Sequence, residues 1–491
     1  MIDCQSERSS VILNEVKNLY SDTIVAPATT PGTGAISIVR MSGPECFRIA
    51  DAVLKLQRGT VSEAEAYTIH YGVILSDSEG SVLDDVLVSV FHAPHSYTGE
   101  DSVEISTHAS SYIVSALVRL LMEAGARFAE PGEFTRRAFL NGKMDLAQAE
   151  AVADVISSTT SAAHRIAMNQ LRGGFSAELS ALRSELLEMA SLLELELDFS
   201  EEDVEFADRS KLLSLLDTAK AHVDKLASSF KLGNMIKSGV PVAIVGAANA
   251  GKSTLLNALL GEERAIVSDI AGTTRDTIEE TLVIDGILFR FIDTAGIRES
   301  SDTIEKIGVD RALTKLSQAE IVLALLDLDT PEESLLESVH SLASRVNFDS
   351  QKLFILLNKA DKMGISAVNK NVTILNNYVS RAEYKCNILA ISAKTGKGLE
   401  ELEKALVEAE KDLIPNADST FVTNTRHYEA LLKASSALDQ CRTSLTRNIP
   451  TDLVAEDLRQ SLRSINEILG TDLLDPETIL HSIFRNHCIG K

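Results

Sequence analysis

The octet Gly246-Ala-Ala-Asn-Ala-Gly251-Lys252-Ser253 directly follows the apolar run Val242 to Val245 and precedes a helical pattern. This spacing between a strand and a helix commits the surrounding stretch to one architecture, a mostly parallel sheet with helices on its faces. Strands and helices alternate from Val240 to about Glu410, as that architecture requires. The glycines let the backbone wrap closely, so that its N–H groups face phosphate oxygens. Lys252 supplies a point charge to the β- and γ-phosphates, and the Ser253 hydroxyl suits Mg²⁺. A chance glycine-rich turn is the bland alternative, and the strand–loop–helix context weighs against it.

Four further segments narrow the ligand to a guanine nucleotide. Asp293, Thr294, Ala295 and Gly296 end a hairpin strand, Ile287 to Ile292, built on the Asp285-Gly286 turn. That position suits a carboxylate reaching Mg²⁺ through water and a glycine N–H reaching the γ-phosphate. Asn358, Lys359, Ala360 and Asp361 follow the strand Leu353 to Leu357. An aspartate there accepts both the N1–H and the exocyclic amine of guanine, a donor pair that adenine lacks. Ser392, Ala393 and Lys394 close the base pocket after Ile388 to Ile391. Gly272-Thr273-Thr274-Arg275-Asp276 lies where a mobile loop brings a Thr hydroxyl to Mg²⁺. The expected nucleotide-binding set is therefore Asn249, Ala250, Gly251, Lys252, Ser253 and Thr254, with Ser268, Asp269, Ile270, Ala271, Gly272, Thr273 and Thr274, and the three segments just named. Each match is weak alone; five in order, each beside its strand, predict a GTP hydrolase.

One expected part is missing. Many GTPases orient the attacking water with a Gln shortly after Asp-x-x-Gly, but Ile297 and Arg298 follow Gly296 here. Isoleucine cannot polarise water. Asn249 offers an extra oxygen near the phosphates, and Glu305 is a nearby acid able to position water.

Composition excludes some partners. Of 491 residues, 47 are Lys or Arg and 71 are Asp or Glu, a formal charge of −24. That balance argues against a broad basic nucleic-acid surface, though not against a local patch. The longest apolar run, Ile321 to Leu326, is far short of the roughly 18 residues of a membrane span. Asp3, Glu7 and Glu15 stand where a secretory signal would be basic and then apolar. Cys4, Cys46, Cys386, Cys441 and Cys488 form no CxxC pair, so a reduced, cytoplasmic protein is expected.

The flanks are helical. Leu212, Leu215, Leu216, Ala219, Val223, Leu226 and Phe230 gather on one face, as do Val454, Leu458, Leu462, Ile465 and Leu469 after the α/β stretch. Each half needs a partner for its apolar face, and the other half is the economical candidate; separate helical domains are the alternative. Glu185 to Asp208 holds ten acids and no Lys or Arg, which reads as a helix with a solvated acidic face. Between Thr23 and Thr107 short strands and turns dominate.

Outside the GTPase motifs, five segments resemble the bacterial MnmE, or TrmE, family of tRNA-modification GTPases. They are Asp22-Thr-Ile-Val-Ala, Pro31-Gly-Thr-Gly-Ala-Ile-Ser-Ile-Val-Arg40, Ser96-Tyr-Thr-Gly-Glu-Asp101, the run from Pro131 to Lys143, and the terminal Cys488-Ile-Gly-Lys491. The resemblance covers nearly the whole chain from Asp22; residues 1 to about 21 lie ahead of it and are given no role.

It implies an α/β plus α fold. A folate-binding-like, dimerising N-terminal domain (22–140) precedes a discontinuous helical domain (141–235 and 413–491), into which a Ras-like P-loop G domain (236–412) is inserted. It also implies a homodimer whose G domains meet on binding GTP and K⁺, and a heterotetramer-like complex with an FAD-dependent GidA (MnmG) protein. That complex adds an aminomethyl-type group, such as carboxymethylaminomethyl, to C5 of the wobble uridine of certain tRNAs. Its one-carbon unit comes from a methylene-tetrahydrofolate, for which formyl-tetrahydrofolate is an analogue.

By matching positions, Arg40, Glu104, Lys143 and Lys491 bind the folate, whose glutamate tail suits cations and whose pterin edge suits a carboxylate. Asn249, Ser268, Ile270 and Thr273 ligate K⁺, Ser253 and Thr274 ligate Mg²⁺, and Glu305 replaces the missing Gln. A monovalent cation there does part of an arginine finger's electrostatic work. Cys488 is the candidate for direct chemistry in the modification step. The chain departs from the family at Ala247-Ala248, often Arg-Pro, at His487, usually Phe, and at Ala109, frequently Gly. An RNA-binding ribosome-assembly GTPase shares the G motifs, but it usually adds a basic module and has no place for the folate-type flanks.

Overall fold

The computed structural model describes residues 22–32, 34–76, 80–198, 209–247, 249–264, 280–292, 316–411, 420–447, 449–471, 484 and 490. Alternation in the N-terminal stretch produces half-buried strands. The seven are β1 (Ile24–Pro27), β2 (Ile36–Ser42), β3 (Leu54–Leu56), β4 (Thr68–Leu75), β5 (Val82–Phe91), β6 (Ser102–His108) and β7 (Arg127–Phe128). In β5 Val86, Val88 and Val90 point inward while Leu87 is exposed, the period of two of a sheet with one wet face. The sheet order is β3-β4-β5-β6-β2-β1-β7, antiparallel except for the β1–β7 pair. Helices α1 (Cys46–Val53) and α2 (Ser111–Glu123) supply Ile49, Leu117 and Leu121 to the core on its dry face. On the other face the register sets Arg40 opposite Glu104.

Helices α3 (Glu133–Leu140), α4 (Leu146–Ser157), α5 (Ser161–Leu171), α6 (Gly174–Asp198) and α7 (Arg209–Ser228) follow. Along α7 Leu212, Leu216, Ala219, Val223 and Leu226 are buried as their spacing predicts, whereas Leu215, at the edge of the stripe, is 38% exposed, and Phe230, expected on the same face, lies beyond the helix end at Ser228 and is half-buried. Within α6 Leu186, Met189, Ala190 and Leu193 are buried and Glu185 and Glu188 exposed, so its described part has the expected acidic outer face. The acids at 201–208 lie outside the described residues.

The α/β stretch begins with α8 (Phe230–Ser238) and β8 (Val240–Gly246), then α9 (Lys252–Arg264), which Gly261 interrupts at φ 50°. It continues through β9 (Glu280–Ile284), β10 (Ile287–Phe291), β11 (Ile321–Asp327), α10 (Glu332–Ala343), β12 (Lys352–Asn358), α11 (Ile365–Arg381), β13 (Cys386–Ala390) and α12 (Leu399–Ala409). The order is β13-β12-β11-β8-β10-β9, parallel except for the β9–β10 hairpin. Ile321 to Leu326 is buried throughout, because a parallel strand covered on both faces has no wet side. Leu323 and Leu325 join Leu255 and Leu259 of α9 and Leu402 of α12 on one face. Val322 and Ala324 join Val339 of α10 and Leu375 of α11 on the other.

Helices α13 (Thr425–Thr446) and α14 (Thr451–Leu469) complete the chain, and the entire predicted stripe Val454, Leu458, Leu462, Ile465 and Leu469 is buried. The helical halves on either side of the α/β stretch meet. Arg183 of α6 donates to Asn466 Oδ1 at 2.7 Å, Arg442 of α13 to Asp217 of α7 at 2.7 Å, and Ser435 to Asp224 at 2.6 Å. Backbone contacts accordingly divide the chain into one unit of residues up to 157, 167–227 and 425–491, and a second of 158–166 and 228–424. No described helix is long and apolar enough to cross a membrane.

Candidate functional site

In the α/β unit the motif residues converge where β8, β12 and β13 end. At the close of β8, Gly246 packs so tightly on the Leu325 carbonyl of β11 that a Cβ has no room. Asn249 takes a left-handed φ of 62° and Gly251 one of 100°, turning the loop into α9, whose first bond runs from Leu255 N–H to Gly251 O at 2.8 Å. Lys252 Nζ donates back to the carbonyls of Gly246 and Ala247, at 2.9 Å each, which holds the ammonium over the loop. Ser253 sits half-buried in the first helical turn and Thr254 is exposed.

Asn358, 3% exposed, ties this loop to the base-recognition segments. Its Nδ2 donates to Ala250 O at 2.7 Å and its Oδ1 accepts from Ala393 N–H at 3.0 Å. Lys359, left-handed at φ 68°, pairs with Asp327 at the end of β11. Burial pushes the Asp327 carboxyl up, but the hydrogen bond and charge of Lys359 outweigh it and hold the group below its ordinary range. Ser392 Oγ donates to Asp361 Oδ1 at 2.6 Å, and that bond keeps the exposed Asp361 ionised at lower pH than usual. An ionised, acceptor-only carboxylate is the form that receives two donors from a base edge. Ala360, Ala393 and Lys394 complete the segments, the two alanines buried and Lys394 exposed.

A second constellation lies on the wet face of the N-terminal sheet. Arg40 Nε and Nη2 donate to Glu104 Oε1 at 2.9 and 2.7 Å, while Nη1 donates to the Gly490 carbonyl at 3.2 Å. The guanidinium lies 5.3 Å from the Tyr97 ring and 5.7 Å from that of Phe134, within cation–π range. Lys143 packs along Gly99 of the Ser96–Asp101 loop and donates from Nζ to Pro94 O at 3.0 Å. Gly490, at φ 93°, lies against the Pro27–Ala28 backbone too closely for any side chain. The sequence reading missed Tyr97, Phe134 and the group that orders this loop. Arg137, 1% exposed, donates to Asp22 Oδ1 at 2.6 Å and Glu133 Oε1 at 2.9 Å, and reaches Glu100 Oε2 at 3.3 Å. Arg127 adds a 2.6 Å bond to Glu133 Oε1. Burial pushes the Glu133 carboxyl up, but these two cations more than offset it. The sequence carried no signal for it: Glu133, Thr135, Arg136 and Arg137 make half of this helix polar, a composition that does not foretell their burial.

Ser268, Asp269, Ile270, Ala271, Gly272, Thr273, Thr274, Asp293, Thr294, Ala295, Gly296, Glu305, Cys488 and Lys491 lie outside the described residues. Of the expected ion ligands, Asn249 and Ser253 are described. The exposed Asn249 amide and the Ser253 hydroxyl in the first turn of α9 are oxygen donors of the kind that K⁺ and Mg²⁺ take, on either side of Lys252.

Comparison with known proteins identifies the family. A family model described as the GTP-binding protein TrmE N-terminus matches residues 23–143, and one described as the MnmE helical domain matches 146–488. The chain is 49% identical over 475 residues to the tRNA modification GTPase MnmE of Bacteroides thetaiotaomicron, covering 96% of this chain and 100% of that one. It is 48% identical to the protein of that name from Flavobacterium johnsoniae, at the same coverage, and 46% to that of Porphyromonas gingivalis, at 96% and 98%. Among solved structures it is similar to Aquifex aeolicus Era at 26% identity and a TM-score of 0.26, over 40% of this chain and 66% of that one. With both family models and near-complete relatives in agreement, this chain belongs to the MnmE (TrmE) family of tRNA-modification GTPases.

Proposed function

We propose that this chain is a K⁺-dependent GTP hydrolase that acts, as a homodimer in complex with an FAD-dependent GidA (MnmG) protein, in modifying C5 of the wobble uridine of certain tRNAs. The observation that carries the nucleotide reading is the Asn358 bridge. One buried amide fixes the phosphate loop at Ala250 to the Ala393 segment. It thereby sets the distance between a triphosphate on Lys252 and a guanine on Asp361. Ser392 orients Asp361 to accept the N1–H and exocyclic amine, and Lys252 neutralises charge that grows on the β–γ bridging oxygen as the γ-phosphoryl leaves. Mg²⁺ on Ser253 and Thr274 and K⁺ on Asn249, Ser268, Ile270 and Thr273 add positive charge at the phosphates when bound. Glu305 positions the attacking water.

The Arg40–Glu104 constellation is the folate subsite in this reading, with Lys143 and Lys491 for the glutamate tail, and Cys488 serves the modification step. Its one-carbon source is a methylene-tetrahydrofolate. A cytoplasmic location follows from a tRNA substrate. Two measurements test the proposal: GTP turnover in K⁺ against Na⁺ buffer, and mass spectrometry of wobble nucleosides from cells lacking the protein. Faster turnover in K⁺ and loss of the modified uridine are expected; equal rates refute the K⁺ assignment, and an unaltered nucleoside profile refutes the tRNA role.

A further inference from the structure

The chain leaves the α/β unit at Asn424, and two residues later Arg426 enters a buried junction of three helices. Its Nε and Nη2 fork onto Glu150 Oε1 and Oε2 of α4 at 2.9 and 3.0 Å. Its Nη1 donates to the Glu467 carbonyl at 2.6 Å, and Nη2 reaches that of Ile468 at 3.3 Å. The last carbonyls of a helix have no intrahelical donors and form the negative end of its dipole. Here a guanidinium from α13 caps α14 while pinned to α4. His427 closes the junction, with Nε2 2.6 Å from Glu150 Oε2, its ring 5.4 Å from that of Phe175, and Nδ1 buried with no hydrogen-bond partner among the described residues.

The end of α14 is fixed on its other side as well. Gly470 ends the helix at φ 77°, and a Cβ there would lie 2.8 Å from Leu146 Cβ and 2.9 Å from the Phe139 ring. Beyond it, Phe484, 1% exposed, packs with Phe139, Leu146 and Ala149, and Gly490 offers its carbonyl to Arg40. Leu146, Ala149 and Glu150 share one face of α4 at helical spacing, so the seat of Phe484 and the anchor of Arg426 are one rigid surface.

We propose that Arg426 is a positioning residue for the Arg40–Glu104 site: it locks the last turn of α14 to α4, and through Phe484 it keeps Gly490 against Arg40. This rests on reading that site as the folate subsite. The planar fork is essential, because an ammonium can serve Glu150 or the α14 carbonyls but lacks the geometry for both.

The test is Arg426→Lys in the full-length chain. Three quantities are measured: formyl-tetrahydrofolate affinity by calorimetry, backbone hydrogen exchange of peptides spanning 470–491, and GTP turnover. Folate affinity is expected to fall by about tenfold or more, since a subsite that is no longer pre-organised binds less tightly. Exchange should rise in the C-terminal peptides, and GTP turnover should stay within about twofold, because the junction contains no nucleotide-binding residue. Unchanged folate affinity with exchange raised throughout α13 and α14 would mean a cap and nothing more, and overturns the proposal. If Arg426→Lys does not fold, Phe484→Ala cuts the same chain of contacts at its far end; the same loss of affinity supports the proposal and normal affinity overturns it. Should the wild type itself bind no formyl-tetrahydrofolate, the folate reading fails separately. The exchange measurement then decides, a rise confined to 470–491 supporting the positioning role and any other pattern refuting it.

Discussion

In the proposed reading Asp361 meets the base edge while Asn358 sets its distance from the phosphates, so changes at the two positions have different consequences. With Asp361→Asn the side chain exchanges one acceptor oxygen for a donor NH₂, which faces the guanine amine and matches the C2 carbonyl of xanthine. GTP affinity should drop by about 10- to 100-fold and xanthosine triphosphate should bind in its place, as competition binding would report. Weakened binding of both nucleotides would place Asp361 elsewhere than at the base edge. Glu150 carries a stability prediction. Burial raises its pKa, but His427, followed by Arg426, lowers it further, to about 2 against an ordinary 4.5. A carboxyl depressed in the folded state contributes stability in full above about 4.5 and loses it as pH falls towards about 2. Thermal melts of the wild type should therefore weaken over that interval. Glu150→Gln should be about 3 kcal/mol less stable at neutral pH, because the half-buried Arg426 and the adjoining His427 lose their counter-ion, and should show a flatter acid limb. Equal acid limbs in the two proteins would remove Glu150 as the source.

Elements explain what the sequence disclosed and what it withheld. The P-loop was readable because strand, loop and helix are consecutive, and the hydrophobic runs of β8, β11 and β12 have no alternative to a covered parallel sheet. Two residues of the predicted stripes fall off them: Leu215, at the edge of the α7 face, and Phe230, which lies past the end of α7 at Ser228, since periodicity marks a direction and neither the width of the contact nor where the helix stops. The Arg40–Glu104 pair came from resemblance and not from chemistry: 64 positions separate the two residues, and only the β2–β6 register brings them together. The Arg426–Glu150 fork, 276 positions apart, had no local signature at all. The junction of β8 and α9 carries its own prediction. At Gly251, with φ 100°, any Cβ would strike Asn358 Nδ2, the atom that holds Ala250. Gly251→Ala should thus combine backbone strain with loss of the Asn358 bridge and reduce GTP affinity at least tenfold, the ratio expected when about 1.4 kcal/mol or more is lost. Its circular dichroism should stay close to wild type, because Ala250 and Ala393 touch only the edge of a core built mainly from the strands and from Leu255, Leu259 and Leu402 of the flanking helices; a global loss of helix would point to a folding role instead.

At the scale of the molecule, the formal charge of −24 is compatible with the proposed tRNA substrate if the proposed flavoprotein partner carries much of the phosphate contact. The division of labour extends to the fold, in which a chain interrupted by 197 residues still closes its helical unit (228–424). That closure is local to the helices. Lys220 of α7 pairs with Asp224 at 2.6 Å and reaches Asp439 of α13 at 3.4 Å, and the Ser435–Asp224 and Arg442–Asp217 bonds set α7 and α13 side by side in opposite directions. From Ser435 back to Thr425 the helix rises about 15 Å, and from Asp224 on to Ala227 about 4.5 Å in the same sense, at roughly 1.5 Å per residue. A Gly/Ser linker of about eight residues reaches up to about 25 Å and so spans the remaining offset with slack. Replacing 228–424 by such a linker should leave a protein with a cooperative melt, a helical far-ultraviolet spectrum and undiminished formyl-tetrahydrofolate binding. Ala163 and Ile166 belong to the core of the excised unit and would become exposed, so Ile166→Ser should accompany the deletion to keep the product monodisperse. A soluble product without a cooperative transition would mean that the helical halves depend on the G domain for more than covalent continuity. Cooperative folding with lost folate binding would instead place part of the folate subsite in the excised residues.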